Sequence, residues 1–143
     1  MKYLKKFNEI KISDDLDLAK QDIEERFIDL IDQYGEYSIT KGSDIHDNIV
    51  NDFLVIRINK IYNYDLQIIY LVIKWLFKYS ENFNLDISVG KSLGDGLQYF
   101  KGSEDGILNN INDFYNSVKS IQVNNPISFK KLKPYILIRL TLK

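Results

Sequence analysis

The sequence predicts a single α+β domain, a two-layer sandwich in which three helices cover one face of a mainly antiparallel sheet of four to five strands. Apolar residues recur at helical spacing in three segments, and alternating segments between them indicate strands. No linker or change in composition divides residues 1–143. With 45% hydrophobic residues and 13% aromatic residues, the chain has enough apolar side chains for one core.

The first predicted helix spans about residues 14–34. Ser13 is a suitable N-cap, and the aspartates that follow it place negative charge at a helix N-terminus, where the helix dipole favours it. An apolar stripe runs from Leu16 to Tyr34, and Gly35 follows as a C-cap.

Two further helices are predicted, over about residues 65–82 and 104–121. The first of these carries apolar residues on nearly all sides, which indicates a helix covered twice, either at the centre of the domain or in an oligomer contact. Ser103 caps the second, and the Asn124–Pro126 segment ends it.

The first two strands are predicted at residues 37–40 and 53–58, where β-branched and aromatic residues alternate or cluster. The intervening segment, residues 42–51, is polar and is predicted to be a loop.

Three more strands are expected later in the chain. Residues 85–89 alternate, Gly94-Asp95-Gly96 offers a hairpin turn, and residues 97–101 form the returning strand. The last strand is predicted at residues 135–142.

Charge is distributed unevenly although the net charge is only −1. Residues 13–52 carry twelve acidic and three basic side chains, whereas residues 119–143 carry six basic side chains and no acid. Four acids line the outer face of the first helix and form a candidate partner-binding surface: Asp22, Glu25, Asp29 and Asp32. The alternative is an ordinary solvated helix face. Lys130, Lys131 and Lys133 form only a weak nucleic-acid signal, and a solvated loop is expected there.

A second candidate site takes in the predicted hairpin at residues 90–101. Gly90-Lys91-Ser92 resembles the end of a phosphate-binding loop, but the glycine that this motif requires five residues earlier is replaced by Leu85. Together with residues 44–52, this hairpin would form a ligand site in which Lys91 and Lys101 meet anionic groups and Asp95 holds a metal. The candidate ligand-binding residues are therefore Lys91, Ser92, Asp95 and Lys101.

The sequence indicates no catalytic residues, cofactor or dedicated metal site. Cysteine is absent and His46 is the only histidine, which excludes thiol chemistry and multi-histidine metal centres. Asp44, His46, Asp47 and Asp52 are the only cluster of metal-ligand types, and such a polar stretch is more often a loop or helix cap. No Gly-x-Ser-x-Gly elbow is present.

The N-terminal residues Met1–Phe7 are basic but lead into no apolar stretch, and the most apolar segment, residues 66–77, is shorter than the ~20 residues of a membrane span. We therefore expect a soluble, cytoplasmic protein without membrane contact.

The opening Met1–Glu9 and the closing Tyr135–Leu140 resemble small uncharacterised accessory proteins of AT-rich tailed bacteriophages. Isoleucine, lysine and asparagine, which have A/T-rich codons, are abundant, and alanine occurs once. The resemblance implies an accessory protein that binds host machinery or another phage component, in the host cytoplasm or the virion. It assigns no site residues.

The leading hypothesis is a non-catalytic protein-binding protein, for example an inhibitor or modulator of a host system, that acts through the acidic helix face and exposed tyrosines. A structural component of a virion or other assembly, self-associating through the second helix, is one alternative. A small-molecule or nucleotide-binding protein, or a hydrolase, is the other.

Overall fold

The computed structural model describes residues 12–92 and 96–143, with side chains from Asp15 onward. It confirms the α+β class, with helices on one face of a five-stranded antiparallel sheet. The elements are α1 (Ile12–Leu30), β1 (Tyr37–His46), β2 (Ile49–Asn59), α2 (Leu66–Leu76), β3 (Phe83–Gly90), β4 (Gln98–Phe100), α3 (Glu104–Asn124), α4 (Pro126–Lys131) and β5 (Tyr135–Leu142), with 3₁₀ turns at Ile61–Asn63 and Phe77–Glu81.

The strand order is β1-β2-β5-β3-β4, so the last strand along the chain occupies the middle of the sheet. Two crossovers, β2–α2–β3 and β4–α3–β5, each pass over one strand. They run in opposite directions across the sheet, and they leave strands β2 and β4, which are antiparallel to each other. Connections of the same hand therefore place both helices on the same face.

The core lies between this helical layer and the inner face of the sheet. Ile56 of β2 faces Ile138 of β5, which in turn faces Ile87 of β3, and all three are buried. Phe27, Ile73 and Ile111 from the three long helices belong to the same cluster. The alternation of strand residues gives β2 and β5 this apolar inner face, because successive side chains of a strand point to opposite sides.

The long helices correspond to the three predicted ones, with corrections at their ends. Helix α1 already includes Ile12, so Ser13 lies within it rather than at its N-cap, and residues 31–34 form a turn rather than helix. Ser103 caps α3 as predicted, accepting a 3.1 Å hydrogen bond from the backbone N–H of Gly106. Among the described helices, none is long and apolar enough to cross a membrane.

The predicted second helix is an α-helix followed by a 3₁₀ turn that ends at Glu81. Within the single chain this helix is not covered on all sides, and an oligomer contact over its open side stays a prediction. Gln67, Leu71 and Lys74 form an exposed stripe, in which Leu71 is 53% exposed, because only one side of α2 packs against the sheet and its neighbouring helices.

The prediction of a loop at residues 42–51 is wrong. Strands β1 and β2 continue through this segment and pair as far as His46 and Ile49. Asp47 and Asn48 form the two-residue turn, with φ angles of 50° and 64°. Aspartate and asparagine tolerate this left-handed region, which the tight hairpin turn with two positive φ angles requires. Polar composition marks solvent exposure here rather than an absence of strand.

Two further corrections concern the ends of later elements. Lys130 and Lys131, which were expected in a solvated loop, form the end of α4. This helix begins at Pro126, because proline is well suited to the first turn of a helix. The predicted turn at Gly94 and Asp95 lies outside the described residues, and β4 is limited to three residues.

Candidate functional site

The face of the sheet opposite the helices carries two pairs of stacked arginine and aromatic side chains. The guanidinium carbon of Arg57 lies 4.2 Å from the ring centre of Tyr135, and that of Arg139 lies 3.8 Å from the ring centre of Phe53. Each stack is worth about 0.5–2 kcal/mol, depending on how much water is excluded. The long arginine side chains thus cover aromatic rings on this face, and Tyr135 is buried to 6% exposure.

The two stacks are related by a local two-fold axis between β2 and β5. Residues 53–57 read Phe-Leu-Val-Ile-Arg, and residues 135–139 read Tyr-Ile-Leu-Ile-Arg. Ile56 and Ile138 occupy equivalent places in the two strands and face each other in the antiparallel register. The axis passes between them, so each arginine lies diagonally across from the aromatic residue of the other strand.

A glycine of the next strand outward completes each stack. Gly42 of β1 faces Phe53, and Gly90 of β3 faces Tyr135. A Cβ atom at Gly42 would lie 2.6 Å from the Phe53 ring, and one at Gly90 would lie 2.5 Å from the Tyr135 ring. The rings therefore lie over the glycine backbones, which only a residue without a side chain permits.

The two arginines differ in how their charge is balanced. Arg139 forms an ion pair with Asp44 of β1. Arg57 donates a 2.8 Å hydrogen bond from Nε to Oδ1 of Asn59, and no described carboxylate lies within ion-pair distance of it. The terminal nitrogens of Arg57 therefore keep a positive charge that no acid among the described residues compensates.

Arg57 lines a half-open cleft of about 580 Å³ at the end of the sheet where β2 ends and β5 begins. We call it the basic cleft, because four of its lining residues are cationic and only one is acidic. The lining residues are Glu36, Arg57, Asn59, Lys60, Tyr62, Lys130, Leu132 and Lys133. Lys60 lies 3.1 Å from Glu36, and the hydrogen bond and charge of this carboxylate raise the pKa of Lys60.

The wall of the basic cleft is built from elements that hold one another in place. The ring of Tyr62 packs edge-on against Phe129 of α4, with ring centres 4.8 Å apart. Lys119 of α3 donates a 3.0 Å hydrogen bond from Nζ to the backbone carbonyl of Tyr62. The backbone N–H of Lys133 donates a 2.8 Å bond to the carbonyl of Lys91. The cleft is thus formed by a packed part of the fold.

At the opposite end of the sheet, the β1–β2 hairpin extends past its neighbours. Pairing of β2 with β5 begins at Phe53, so residues 43–52, which we call the hairpin tip, pair only with each other among the described strands. Ile45, Ile49 and Val50 are 75%, 62% and 59% exposed. This small segment therefore holds three of the large apolar side chains that the fold leaves in water.

The predicted acidic surface is exposed along α1 and the turn after it. Asp22 lies 2.9 Å from Lys78 and accepts a hydrogen bond from the hydroxyl of Tyr79. Partial burial acts to raise the pKa of Asp22, but the Tyr79 hydrogen bond and the Lys78 charge outweigh it and lower the pKa overall. Lys78 therefore offsets the charge at one end of the row.

The other three acids of the row are exposed. Glu25 accepts a 3.4 Å hydrogen bond from Gln21, and Asp32 accepts a 3.3 Å bond from Tyr37. Together with Asp29, they leave a negative surface along the C-terminal half of α1 and the turn after it.

The predicted ligand-binding residues are not gathered into one site by the described structure. Lys91 and Ser92 follow β3 at the end of the sheet that also holds the basic cleft, Lys101 follows β4, and Asp95 lies outside the described residues. Residues 44–52 belong to the hairpin tip at the opposite end. Within the described chain, no three His, Asp or Glu side chains converge to hold a metal.

Sequence reasoning missed both the basic cleft and the hairpin tip. An aromatic residue stands four positions before an arginine in residues 53–57 and again in residues 135–139. This repeat was an available signal for the two arginine–aromatic stacks. The adjacent residues Asp47 and Asn48, which tolerate the positive φ angles of a tight turn, were an available signal for the hairpin turn.

Comparisons of the chain with models of protein families, with curated proteins and with solved structures find no match.

Proposed function

We propose that the protein is a non-catalytic protein-binding domain that docks onto its partner through the hairpin tip. The observation that carries this proposal is the exposure of Ile45, Ile49 and Val50 on a paired, regular hairpin that projects beyond the sheet. Ile45 and Val50 face each other on one side of the hairpin and Ile49 lies on the other side, so the partner encloses the tip from both sides. Exposed apolar side chains close together are typical of interaction sites, because their contact with water is unfavourable until a partner covers them.

Strand β1 supplies a second means of contact. It is a ten-residue strand at the edge of the sheet, and no described strand pairs with its outer side. Such an edge offers backbone N–H and C=O groups to a strand of another protein, so that main-chain hydrogen bonds contribute affinity and the side chains contribute specificity.

The charge of the tip indicates the chemistry of the partner surface. Residues 43–52 contain Asp44, Asp47 and Asp52 and no lysine or arginine. Asp44 is paired with Arg139, and the other two leave the tip acidic. The complementary surface is an apolar depression rimmed by basic side chains. The resemblance to phage accessory proteins favours a host protein or another phage component as its source, in which case the domain inhibits or modulates that partner.

The test is capture of partners from lysate, read by mass spectrometry, with three variants. The first replaces Ile45, Ile49 and Val50 by Thr, which keeps strand propensity and removes the apolar contact. The matched control replaces three exposed apolar residues elsewhere by Gln: Ile28, Val123 and Ile127. The third changes Glu25, Asp29 and Asp32 to Lys.

We expect a protein that the unchanged chain and the Gln control retain and the Thr variant loses. Equal capture by the Thr variant contradicts the proposal. Loss of capture only in the Lys variant moves the contact to the acidic face of α1. Recovery of no protein other than the chain itself contradicts a separate partner and favours self-assembly.

A further inference from the structure

We propose that the basic cleft binds a small phosphate-bearing ligand of nucleotide size. This site lies at the other end of the sheet from the hairpin tip and does not depend on the protein-binding role. It differs in location from the phosphate-loop resemblance at Gly90-Lys91-Ser92, whose side chains are not among its lining residues.

The basic cleft holds positive charge that no described acid compensates. Glu36 is engaged by Lys60, and no described acid forms an ion pair with Arg57, Lys130 or Lys133. Three positive charges therefore face one concave space, where low-dielectric walls strengthen their combined field. A ligand carrying two or three negative charges would neutralise them.

Arg57 is held in a fixed position at the cleft. Its guanidinium is held from below by the Tyr135 ring at 4.2 Å and from the side by Asn59 at 2.8 Å. Nε is used in that bond, which leaves the two terminal nitrogens as donors. A planar guanidinium with parallel N–H groups matches two phosphate oxygens, and its immobilisation in advance reduces the entropy lost on binding.

The size and composition of the cleft suit a small organic anion. A volume of about 580 Å³ lies within the range of small-molecule sites. Tyr62 and Leu132 add an apolar wall beside the cations, which suits a ligand with a ring or carbon skeleton attached to its phosphates. Another cleft, of about 530 Å³, has three acids in its lining, Asp15, Asp22 and Glu81, against the single cation Lys143, and is less suited to anions.

The charge pattern favours a small ligand over nucleic acid. Beyond Arg57, the next arginine on the open face is Arg139, which Asp44 neutralises. Asp86 of β3 also faces Arg139 in the sheet register. A continuous basic track, which a nucleic-acid backbone requires, therefore stops after the cleft.

The experiment is isothermal titration of the full chain with ADP and with pyrophosphate at low salt, without divalent metal. Sulfate and a short single-stranded DNA serve as comparison ligands. The variants are Arg57→Gln, the double variant Lys130→Gln/Lys133→Gln, and Arg139→Gln as matched control, since Arg139 has the same stack on the same face but lies outside the cleft.

We expect ADP or pyrophosphate to bind more tightly than sulfate, and the cleft variants to weaken binding by about tenfold or more, equivalent to roughly 1.4 kcal/mol. Arg139→Gln should stay within about twofold of the unchanged chain. The lysine double variant changes only exposed side chains, so it keeps the test valid if Arg57→Gln unfolds.

Three results would overturn the proposal. The first is no heat of binding at millimolar ADP and pyrophosphate. The second is equal affinity for sulfate, which would indicate a generic anion effect. The third is tighter binding of the DNA than of ADP, with loss in Arg139→Gln as well, which would indicate a nucleic-acid surface instead.

Discussion

Gly90 and Tyr135 face each other across β3 and β5, and the tyrosine ring occupies the space where a side chain at position 90 would lie. This arrangement positions Tyr135 beneath Arg57, and Arg57 lines the basic cleft. Because Gly90 of β3 has no Cβ atom, the Tyr135 ring can lie over it, and this ring in turn sets the position of the Arg57 guanidinium on β2.

Replacing Gly90 by Ala should destabilise the protein by about 1–3 kcal/mol, because the added methyl group would lie 2.5 Å from the Tyr135 ring and force it to move. Thermal unfolding measures the loss. Gly96→Ala is the control, since nothing lies within 4 Å of its added Cβ atom. Similar melting temperatures for the two variants would show that the ring is not confined as described.

Replacing Tyr115 by Phe should cost roughly 1–3 kcal/mol, because the Tyr115 hydroxyl donates a buried 2.7 Å hydrogen bond to the backbone carbonyl of Tyr64. This bond ties α3 to the turn that precedes α2. Urea unfolding measures the change. Tyr99→Phe, at a residue that is 60% exposed, should alter stability by less than about 0.5 kcal/mol. A neutral Tyr115→Phe would contradict the assigned bond.

Replacing Asp22 by Asn should lower stability at neutral pH by about 0.5–1 kcal/mol, the size expected for an exposed ion pair. The folded protein lowers the pKa of Asp22, so the ionised carboxylate stabilises the fold above about pH 4, and this contribution is lost as the pH falls through the lowered pKa. The difference in melting temperature between the two proteins should therefore shrink below pH 4.

Asp29→Asn, two helical turns further along α1, provides the control for that comparison. Asp29 is exposed, so its replacement should leave the melting temperature nearly unchanged at neutral pH. If the Asp22 and Asp29 variants respond identically to pH, the effect comes from the net charge of α1 and not from the contacts with Lys78 and Tyr79.

Changing Asn48 to Gly should stabilise the hairpin tip, since glycine adopts the observed φ of 64° without steric cost. Asn48→Val should weaken it, because a β-branched residue is strained at positive φ. Amide hydrogen exchange at His46 and Ile49, the pair that closes the turn, would slow in the first variant and accelerate in the second. Unchanged exchange in both would indicate that the turn does not control the tip.

The long elements could be predicted because their patterns are local. The stripe of α3 and the alternation of β5 each repeat over many residues, and the structure confirms both. The hairpin tip was missed because its side chains are nearly all in water, so the burial that produces alternation is absent there. Only the turn residues Asp47 and Asn48 carried the signal.

The basic cleft could not be predicted, because its residues come together only through the order of the strands. Arg57 and Lys133 are 76 positions apart in the chain and meet because β5 inserts beside β2. A sequence shows which strands exist, but strand order depends on tertiary packing that no local pattern records. The stacking of Arg57 on Tyr135 depends on the same long-range pairing.

The central position of β5 has a consequence for the order in which the protein folds. Strand β5 joins the β1–β2 hairpin to the β3–β4 pair, and it is the last of the five strands to leave the ribosome. Until it does, the facing edges of β2 and β3 have no partner, and each is open to pairing with another chain. Closure of the sheet therefore waits until Tyr135–Leu142 has been synthesised, and the nascent chain is most vulnerable to aggregation in the interval before this strand emerges.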